Sequence, residues 1–342
     1  MDLALSDDQL ALRDAVVDLL AKESPPERVR AAEPAGFDPA LWALVSGMGL
    51  PSLAVAEGLG GGGGSLVDLA VVAEEFGRRV AAAPLIEAAA ATDLLAQLGA
   101  GALLEPVLSG DLLATVALRP PVNGVARLVP AGAVADVVIA LDGEELVASR
   151  SSVGPAAPLA VPANLASSPI ADRRLDDGER TVLATGPAAR AAHGRAVTVW
   201  QALTAAALTG VGAAALDMGV AYVKQRRAFG VLVGWFQAVQ HRLADVTTDL
   251  DGARLLAYEA AWALDEGLGN APALASMAFV FCAESAFHAA RESLQFHGGY
   301  GYTLEYDIQL YFRRAKAWPL AYGDPRREYQ RLAHLLFEHA EA

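Results

Sequence analysis

The chain has 342 residues, 54% of them hydrophobic, and a formal net charge of −14. This length supports one to three domains with a sizeable core, and heavy use of Ala and Leu favours a mainly helical globular protein. The acidic balance argues against nucleic acid, because phosphate contacts need clustered Lys and Arg. It also disfavours attraction to an anionic membrane surface. We therefore expect a soluble, cytoplasmic protein that binds no nucleic acid and no membrane.

The first 110 residues predict an α-helical domain. Ser6 and Gln9 form a capping-box pattern ahead of apolar residues at helical spacing. A second helix is expected over residues 39–48, and Ala- and Leu-rich helix over 86–108. The glycine run Gly60–Gly64 lacks the Lys-Ser/Thr pair of a phosphate loop, so we interpret it as a flexible turn. The serine that follows it is expected to cap another helix.

Residues 111–186 predict a small β domain, because short β-type runs are separated by Pro and Gly. Asp142-Gly143 is a strong hairpin signal. Residues 187–342 return to helical patterns with short loops, which predicts a bundle of four long antiparallel helices. Two Ala-rich stretches there are interrupted by Asp217 and Glu284, so we expect buried core helices rather than membrane spans.

Cysteine and metal chemistry contribute little to this sequence. Cys282 is the only cysteine. It lies in an apolar helical run, where a buried structural thiol is favoured over a reactive one. No set of neighbouring ligands supports a metal site.

Three segments of the C-terminal region combine Arg, Gln, Gly and aromatic residues at spacings that packing alone does not require. They are R-x-x-F-G at Arg226–Gly230, F-Q-x-V-Q-H-x-L-A-D at Phe236–Asp245, and Q-x-x-G-G-x-G-Y-x-x-E-Y at Gln295–Tyr306. Together with the domain order, and with E-E-F-G-R at Glu74–Arg78, they resemble the acyl-CoA dehydrogenase family. The resemblance covers essentially the whole chain, strongly in the bundle and weakly in the β domain. It implies a helical domain, a β domain and a four-helix bundle.

The resemblance also implies an FAD that lies across a subunit boundary and is held mainly by the neighbouring subunit. It places Arg226 at the pyrophosphate, Phe229 at the adenine end, Gln237 beside the adenosine portion, and Gln295 with the backbone of Gly298 and Gly299 around the pyrophosphate. A diphosphate favours a guanidinium and close backbone N–H groups, and glycine permits that approach. Each residue alone has an ordinary explanation: a helix-end arginine, a core phenylalanine, a glycine C-cap.

Family members take an α-proton with a Glu and pass the β-hydrogen to flavin as hydride. The base needs a dry site within reach of the α-carbon. One of its two family positions falls here on Tyr322 or, with a one-residue shift, on Gly323. Asp324 is the nearest carboxylate, and the helix N-cap is its favoured interpretation. The other position falls on Trp200. We therefore place no catalytic base in this chain.

Further family features are missing as well. The substrate-binding Arg and Asp of the family would fall on Gln201 and Thr198. The segment that usually lines the flavin ring has no counterpart, and Thr115–Pro121 stands near its expected place. The chain has thus lost the half of the flavin site that each subunit provides for itself, which we call the cis half. It has kept the half lent to a neighbour, the trans half.

This pattern fits a subunit of a heteromeric enzyme. Some bacterial acyl-CoA dehydrogenases are similar: they are α2β2 heterotetramers with two FADs, best known from sterol side-chain catabolism, in which one short subunit lacks the base. The resemblance implies a Glu-bearing partner subunit, an acyl-CoA substrate and an electron-transfer flavoprotein or similar acceptor. Two alternatives stay open. One is a self-sufficient acyl-CoA dehydrogenase that uses Asp324 as base, and the other is a flavin-free structural or acyl-CoA-binding homologue.

Overall fold

The computed structural model of the chain describes residues 4–337. It confirms a mainly helical protein with a small central sheet region between two helical regions. The N-terminal helices are α1 Asp7–Glu23, α2 Pro26–Ala32, α3 Pro39–Gly47, α4 Leu66–Arg78, α5 Leu85–Gln97 and α6 Gly101–Leu108. Capping boxes begin two of them, at Ser6 before α1 and at Ser65 before α4, as the sequence predicts. The helix expected over 86–108 is two helices, because Gly99 turns the chain with φ +62°.

The glycine run before α4 is not the flexible turn that we expected. The backbone N–H groups of Gly62 and Gly64 donate to the carbonyls of Ser52 and Leu53, at 3.1 and 2.8 Å. A Cβ atom on Gly61 would lie 2.3 Å from the carbonyl oxygen of Val55. The run is therefore a fixed loop, in which glycine allows two stretches of backbone to approach closely.

The central region contains two small sheets. Its strands are β1 Ala114–Val116, β2 Val125–Val129, β3 Val137–Asp142, β4 Glu145–Arg150, β5 Ala171–Arg174 and β6 Glu179–Thr185. One sheet has the order β1-β3-β4-β6, and β2 pairs with β5 in the other. The predicted hairpin joins β3 and β4 through the two residues between the Asp142–Glu145 pair, and Gly143 there has φ +62°.

The C-terminal region is built on three long helices, α7 Gly186–Val223, α8 Gln237–Asp265 and α9 Ala271–His297. A short hairpin of β7 Arg227–Ala228 and β8 Val231–Leu232 joins α7 to α8, and the shorter helices α10 Ile308–Ala317 and α11 Pro325–Phe337 follow. The fourth predicted helix begins at Pro325 as expected, and 13 of its residues are described. Sequence reasoning missed α10, whose buried face carries Gln309 and Arg314 and so breaks the apolar periodicity.

Helix α7 lies at the centre of the protein, where it packs against α4, α8 and α9. This helix and the segment Ala271–Tyr302 are long and apolar enough to cross a membrane. Within their most apolar windows, 72% and 67% of the residues are buried inside the protein. That burial agrees with the expectation of core helices.

Candidate functional site

The hairpin after α7 presents Phe229 at its tip. Phe229 and Gly230 both have left-handed backbones, with φ 53° and 83°, as two-residue hairpin turns of matching twist require. Glycine adopts this conformation freely, whereas a bulky residue is strained in it. The Phe229 side chain is nevertheless 96% exposed and meets Phe236 edge-on, with ring centroids 6.5 Å apart. A strained apolar residue held in solvent indicates a contact surface, so the core interpretation of Phe229 is wrong.

Arg226 begins the same hairpin and lies beside the turn after α9. Its guanidinium carbon is 5.9 Å from the centroid of the Tyr300 ring. The stacking of Tyr222 on His297, with centroids 4.1 Å apart, joins the ends of α7 and α9 there. Among the described residues, Arg226 forms no ion pair with a carboxylate. The structure thus offers an exposed guanidinium with its charge uncompensated.

The glycines of the turn after α9 face open space. Gly298 has φ +60° and ψ −139°, which only glycine adopts readily, and it ends α9. A Cβ atom on Gly298 or Gly299 would meet nothing within 4 Å, whereas one on Gly301 would lie 2.7 Å from the carbonyl oxygen of Leu294. Packing within the chain explains why position 301 is a glycine, and it does not explain why position 299 is one.

The amides of Gln237 and Gln295 complete the predicted set. Both side chains are exposed, and neither takes part in a side-chain hydrogen bond among the described residues. Gln237 follows Phe236 at the start of α8, and Gln295 lies in the last turn of α9. A guanidinium, free amides and unobstructed glycine backbone are the donors that a diphosphate and a ribose require, so these residues fit the pyrophosphate and adenosine half of FAD.

The two positions of the missing base meet in the fold. Trp200 on α7 and Tyr322 before α11 stack with ring centroids 6.1 Å apart and an interplanar angle of 27°. Phe279 packs against both rings, at 5.6 and 5.8 Å. Trp200 and Tyr322 are far apart in sequence and adjacent in the fold. This adjacency agrees with the resemblance, which gives both of them as positions of the base. Aromatic side chains fill that place, and neither of them can serve as a carboxylate base.

A buried polar network closes the space around Tyr322. Nη1 of Arg331 donates to the Tyr322 hydroxyl at 2.9 Å and to Oε1 of Glu328 at 3.2 Å. The Glu328 carboxylate, 2% exposed, also accepts from Gln201 at 2.6 Å and from Ser276 at 2.7 Å. Gln201 is thereby committed to α11 and unavailable to a substrate. Sequence reasoning missed Glu328 and Arg331, since nothing local shows that a helical Glu is buried.

The residues at the other positions near the family's substrate site also make contacts within the chain. The Thr198 hydroxyl donates to the carbonyl of Gly194 on its own helix, at 2.9 Å. Asp324 is exposed, and its carbonyl accepts from the N–H of Arg327 in the first turn of α11. It stands where a helix cap would stand, and its role as a cap remains a prediction. The reaction needs its base in a dry site, and the surroundings of Asp324 are open to solvent.

The segment near the expected flavin ring is part of the core. The N–H of Ala117 donates to the carbonyl of Ile139 at 2.8 Å, and its carbonyl lies 2.8 Å from Nε2 of His193. Thr115 is buried and donates its hydroxyl to the carbonyl of Pro130. Burial lowers the pKa of His193, which favours the neutral ring as donor to Ala117. These backbone groups are already paired within the chain.

The lone cysteine takes no part in this surface. Cys282 is fully buried, and its thiol donates to the carbonyl of Ala253 at 3.3 Å. Burial raises its pKa well above the ordinary range, so the reactive thiolate is disfavoured. Within residues 4–337, no group of three or more His, Cys, Asp and Glu could hold a metal ion.

Fold and surface together define a flavoprotein of the acyl-CoA dehydrogenase type. Residues 6–109 match the family model described as Acyl-CoA dehydrogenase, N-terminal domain, and residues 190–333 match that described as Acyl-CoA dehydrogenase, C-terminal domain. The chain belongs to the acyl-CoA dehydrogenase family. This membership confirms FAD as the cofactor and places the chain among oxidoreductases of acyl-CoA thioesters.

Particular relatives match over nearly the full length. Acyl-CoA dehydrogenase IpdE2 of Mycolicibacterium smegmatis is 34% identical, over 97% of this chain and 100% of its own length. Its namesake from Mycobacterium tuberculosis is 33% identical, over 96% of each chain. Among solved structures, a chain of the ChsE4–ChsE5 complex from Mycobacterium tuberculosis gives a TM-score of 0.87 at 26% identity, covering 98% of this chain and 99% of that one. A chain of the Tcur3481–Tcur3483 steroid ACAD variant gives 0.85 at 26%, with the same coverage.

Proposed function

We propose that this protein is the base-lacking subunit of an α2β2 acyl-CoA dehydrogenase and lends the trans half of the FAD site to a partner subunit. One contrast carries the proposal. Trp200 and Tyr322 fill the two base positions and pack into the core, while Arg226, Phe229, Gln237, Gln295, Gly298 and Gly299 form an exposed surface. A chain that served its own flavin would need an open base position. A chain that serves a partner needs only the exposed surface that fits FAD.

The partner would supply the catalytic Glu, the contacts to the flavin ring and most of the acyl-CoA pocket. The complex would oxidise an acyl-CoA to a trans-2-enoyl-CoA. FAD, when bound, accepts the β-hydrogen as hydride, and an electron-transfer flavoprotein or similar acceptor would collect the electrons. One of the similar structures is a ChsE4–ChsE5 complex, and another is a steroid ACAD whose name joins Tcur3481 and Tcur3483. These likenesses support a heteromeric assembly that acts on a sterol-derived acyl-CoA. We place this assembly in the cytoplasm.

Arg226→Ala tests the trans assignment. The substitution removes a charge-assisted contact to the pyrophosphate, so FAD affinity should fall about ten- to a hundredfold in the assembled complex. The measurement is the flavin-to-protein ratio after gel filtration, with circular dichroism to confirm the fold. Arg227→Ala is the matched control, because neighbouring residues of a β-strand point to opposite faces and Arg227 lies in β7. Arg226→Ala with full FAD occupancy would contradict the assignment.

The alternatives give different results in the same experiments. If the chain purified alone binds FAD stoichiometrically and oxidises an acyl-CoA, the shared-site proposal is wrong. Loss of that activity in Asp324→Asn would then identify the base. If FAD is absent even from the complex with the partner, the chain is a flavin-free structural homologue. Our proposal expects FAD in the complex only, with unchanged turnover in Asp324→Asn.

A further inference from the structure

Arg226 lies against an aromatic ring and not against a carboxylate. Its guanidinium carbon is 5.9 Å from the centroid of the Tyr300 ring, within the range of a cation–π contact. Arg254 shows the alternative, because its Nε and Nη2 donate to the Glu74 carboxylate at 2.9 and 2.6 Å. A carboxylate neutralises the charge of an arginine and occupies its N–H donors. A ring face does neither, so the donors of Arg226 stay available to an anion.

The Tyr300 ring is itself held in place by other rings. It is 51% exposed, and it packs on the Tyr306 ring with centroids 5.6 Å apart. Tyr306 in turn meets His297 and Tyr222 edge-on, at 5.8 and 6.3 Å. His297 is buried at the end of α9. Because aromatic pairs prefer such defined geometries, the half-exposed ring of Tyr300 has a fixed position.

Arg226 and this group of rings are both attached to Tyr222, in the last turn of α7. The backbone N–H of Arg226 donates to the carbonyl of Tyr222 at 2.8 Å, and the Tyr222 ring stacks on His297. The backbone of Arg226 and the ring of Tyr300 are thus fixed relative to each other. An arginine side chain loses rotamer freedom when a ligand orders it. A contact that orders the side chain beforehand lowers that entropic cost of binding.

We propose that Tyr300 is a positioning residue of the FAD site, which holds the Arg226 guanidinium ready for the pyrophosphate. The inference rests on the proposed function, since it requires that this chain lends the trans half of the site. The Tyr300 hydroxyl makes no hydrogen bond among the described residues, so the ring face carries the effect. A cation–π contact at an exposed site corresponds to about two- to fivefold in affinity.

Serial dilution of the complex with its partner, followed by the fluorescence of released flavin, measures the dissociation constant of FAD. Tyr300→Leu should raise this constant about two- to fivefold, because leucine has no π face. Tyr300→Phe keeps the ring and should retain the native value. Tyr302→Leu is the matched control, since Tyr302 is 75% exposed in the same turn and takes part in no ring contact among the described residues. It should also retain the native value.

A double-mutant cycle separates positioning from direct contact with FAD. In the Arg226→Ala background, Tyr300→Leu should have no further effect, because the guanidinium that it positions is gone. A second loss of the same size there would overturn the inference, and so would weakened binding in Tyr300→Phe or Tyr302→Leu. If Arg226→Ala weakens FAD binding and Tyr300→Leu does not, only the role of Tyr300 is wrong. If Arg226→Ala itself keeps the native affinity, the trans assignment fails as well.

Discussion

The strained backbone at the hairpin tip provides a test at the scale of a single residue. Phe229 holds φ 53° in solvent, and asparagine tolerates this conformation better. Phe229→Asn should therefore stabilise the isolated chain by about 0.5–1 kcal/mol, while it weakens FAD retention in the complex. Leu128→Asn is the matched control, since Leu128 is also exposed with φ 50° but lies in β2. Urea unfolding and flavin content measure the two effects. If both variants retain the same amount of flavin, the strained residue Phe229 does not contribute to FAD binding.

His193 provides a test of pH dependence. Burial lowers its folded-state pKa, so between the two pKa values the unfolded chain binds more protons. Its contribution to stability is complete above the unfolded pKa of about 6.5 and is lost as the pH falls below it. His193→Gln can still donate to Ala117 and cannot titrate. Its urea midpoint should therefore fall less than that of the native chain between about pH 7.5 and 5.5.

The comparison for this pH effect is the native chain. If the urea midpoints of His193→Gln and of the native chain fall by the same amount over this pH range, the burial of His193 does not contribute to the acid sensitivity.

At the scale of elements, two glycines allow α4 and α7 to cross closely. A Cβ atom on Gly210 would lie 1.9 Å from the carbonyl oxygen of Glu74, and one on Gly77 would lie 1.8 Å from that of Ala207. A backbone carbonyl cannot move aside as a flexible side chain can. Gly210→Ala should therefore lower the free energy of unfolding by about 3 kcal/mol. Gly194 lies on the same helix, and a Cβ atom there would meet nothing within 4 Å. Gly194→Ala should therefore raise the free energy of unfolding by up to about 1 kcal/mol. Chemical unfolding checks both values, and equal stability of the two variants would refute the close crossing.

Local sequence signals predicted many elements and missed others for identifiable reasons. The caps at Ser6 and Ser65 and the hairpin at Asp142-Gly143 depend on hydrogen bonds that span a few residues, so the sequence shows them directly. Helix α10 was hidden because a distant carboxylate, Glu33, holds its buried Arg314. Such a partner leaves no trace in local periodicity.

At the scale of the whole molecule, the missing base is one part of a wider loss. In a chain purified alone and supplied with FAD, Tyr322→Glu should not yield acyl-CoA oxidation. The new carboxylate would lie within reach of Arg331, while the segment around Ala117 would still be paired within the core. The assay is reduction of an artificial electron acceptor with an acyl-CoA that the complex oxidises. Activity of the lone variant would show that only the base had been lost.

The sequence by itself determined the family and the absence of Glu at both base positions, and it predicted that residues between Arg226 and Gly299 bind FAD. These conclusions need only residue identities and spacings. The tertiary structure decided that Trp200 and Tyr322 stack in one place and that Phe229 is exposed to solvent. The physical reason is that stacking, exposure and burial depend on contacts between segments far apart in the chain, which only the packed fold brings together.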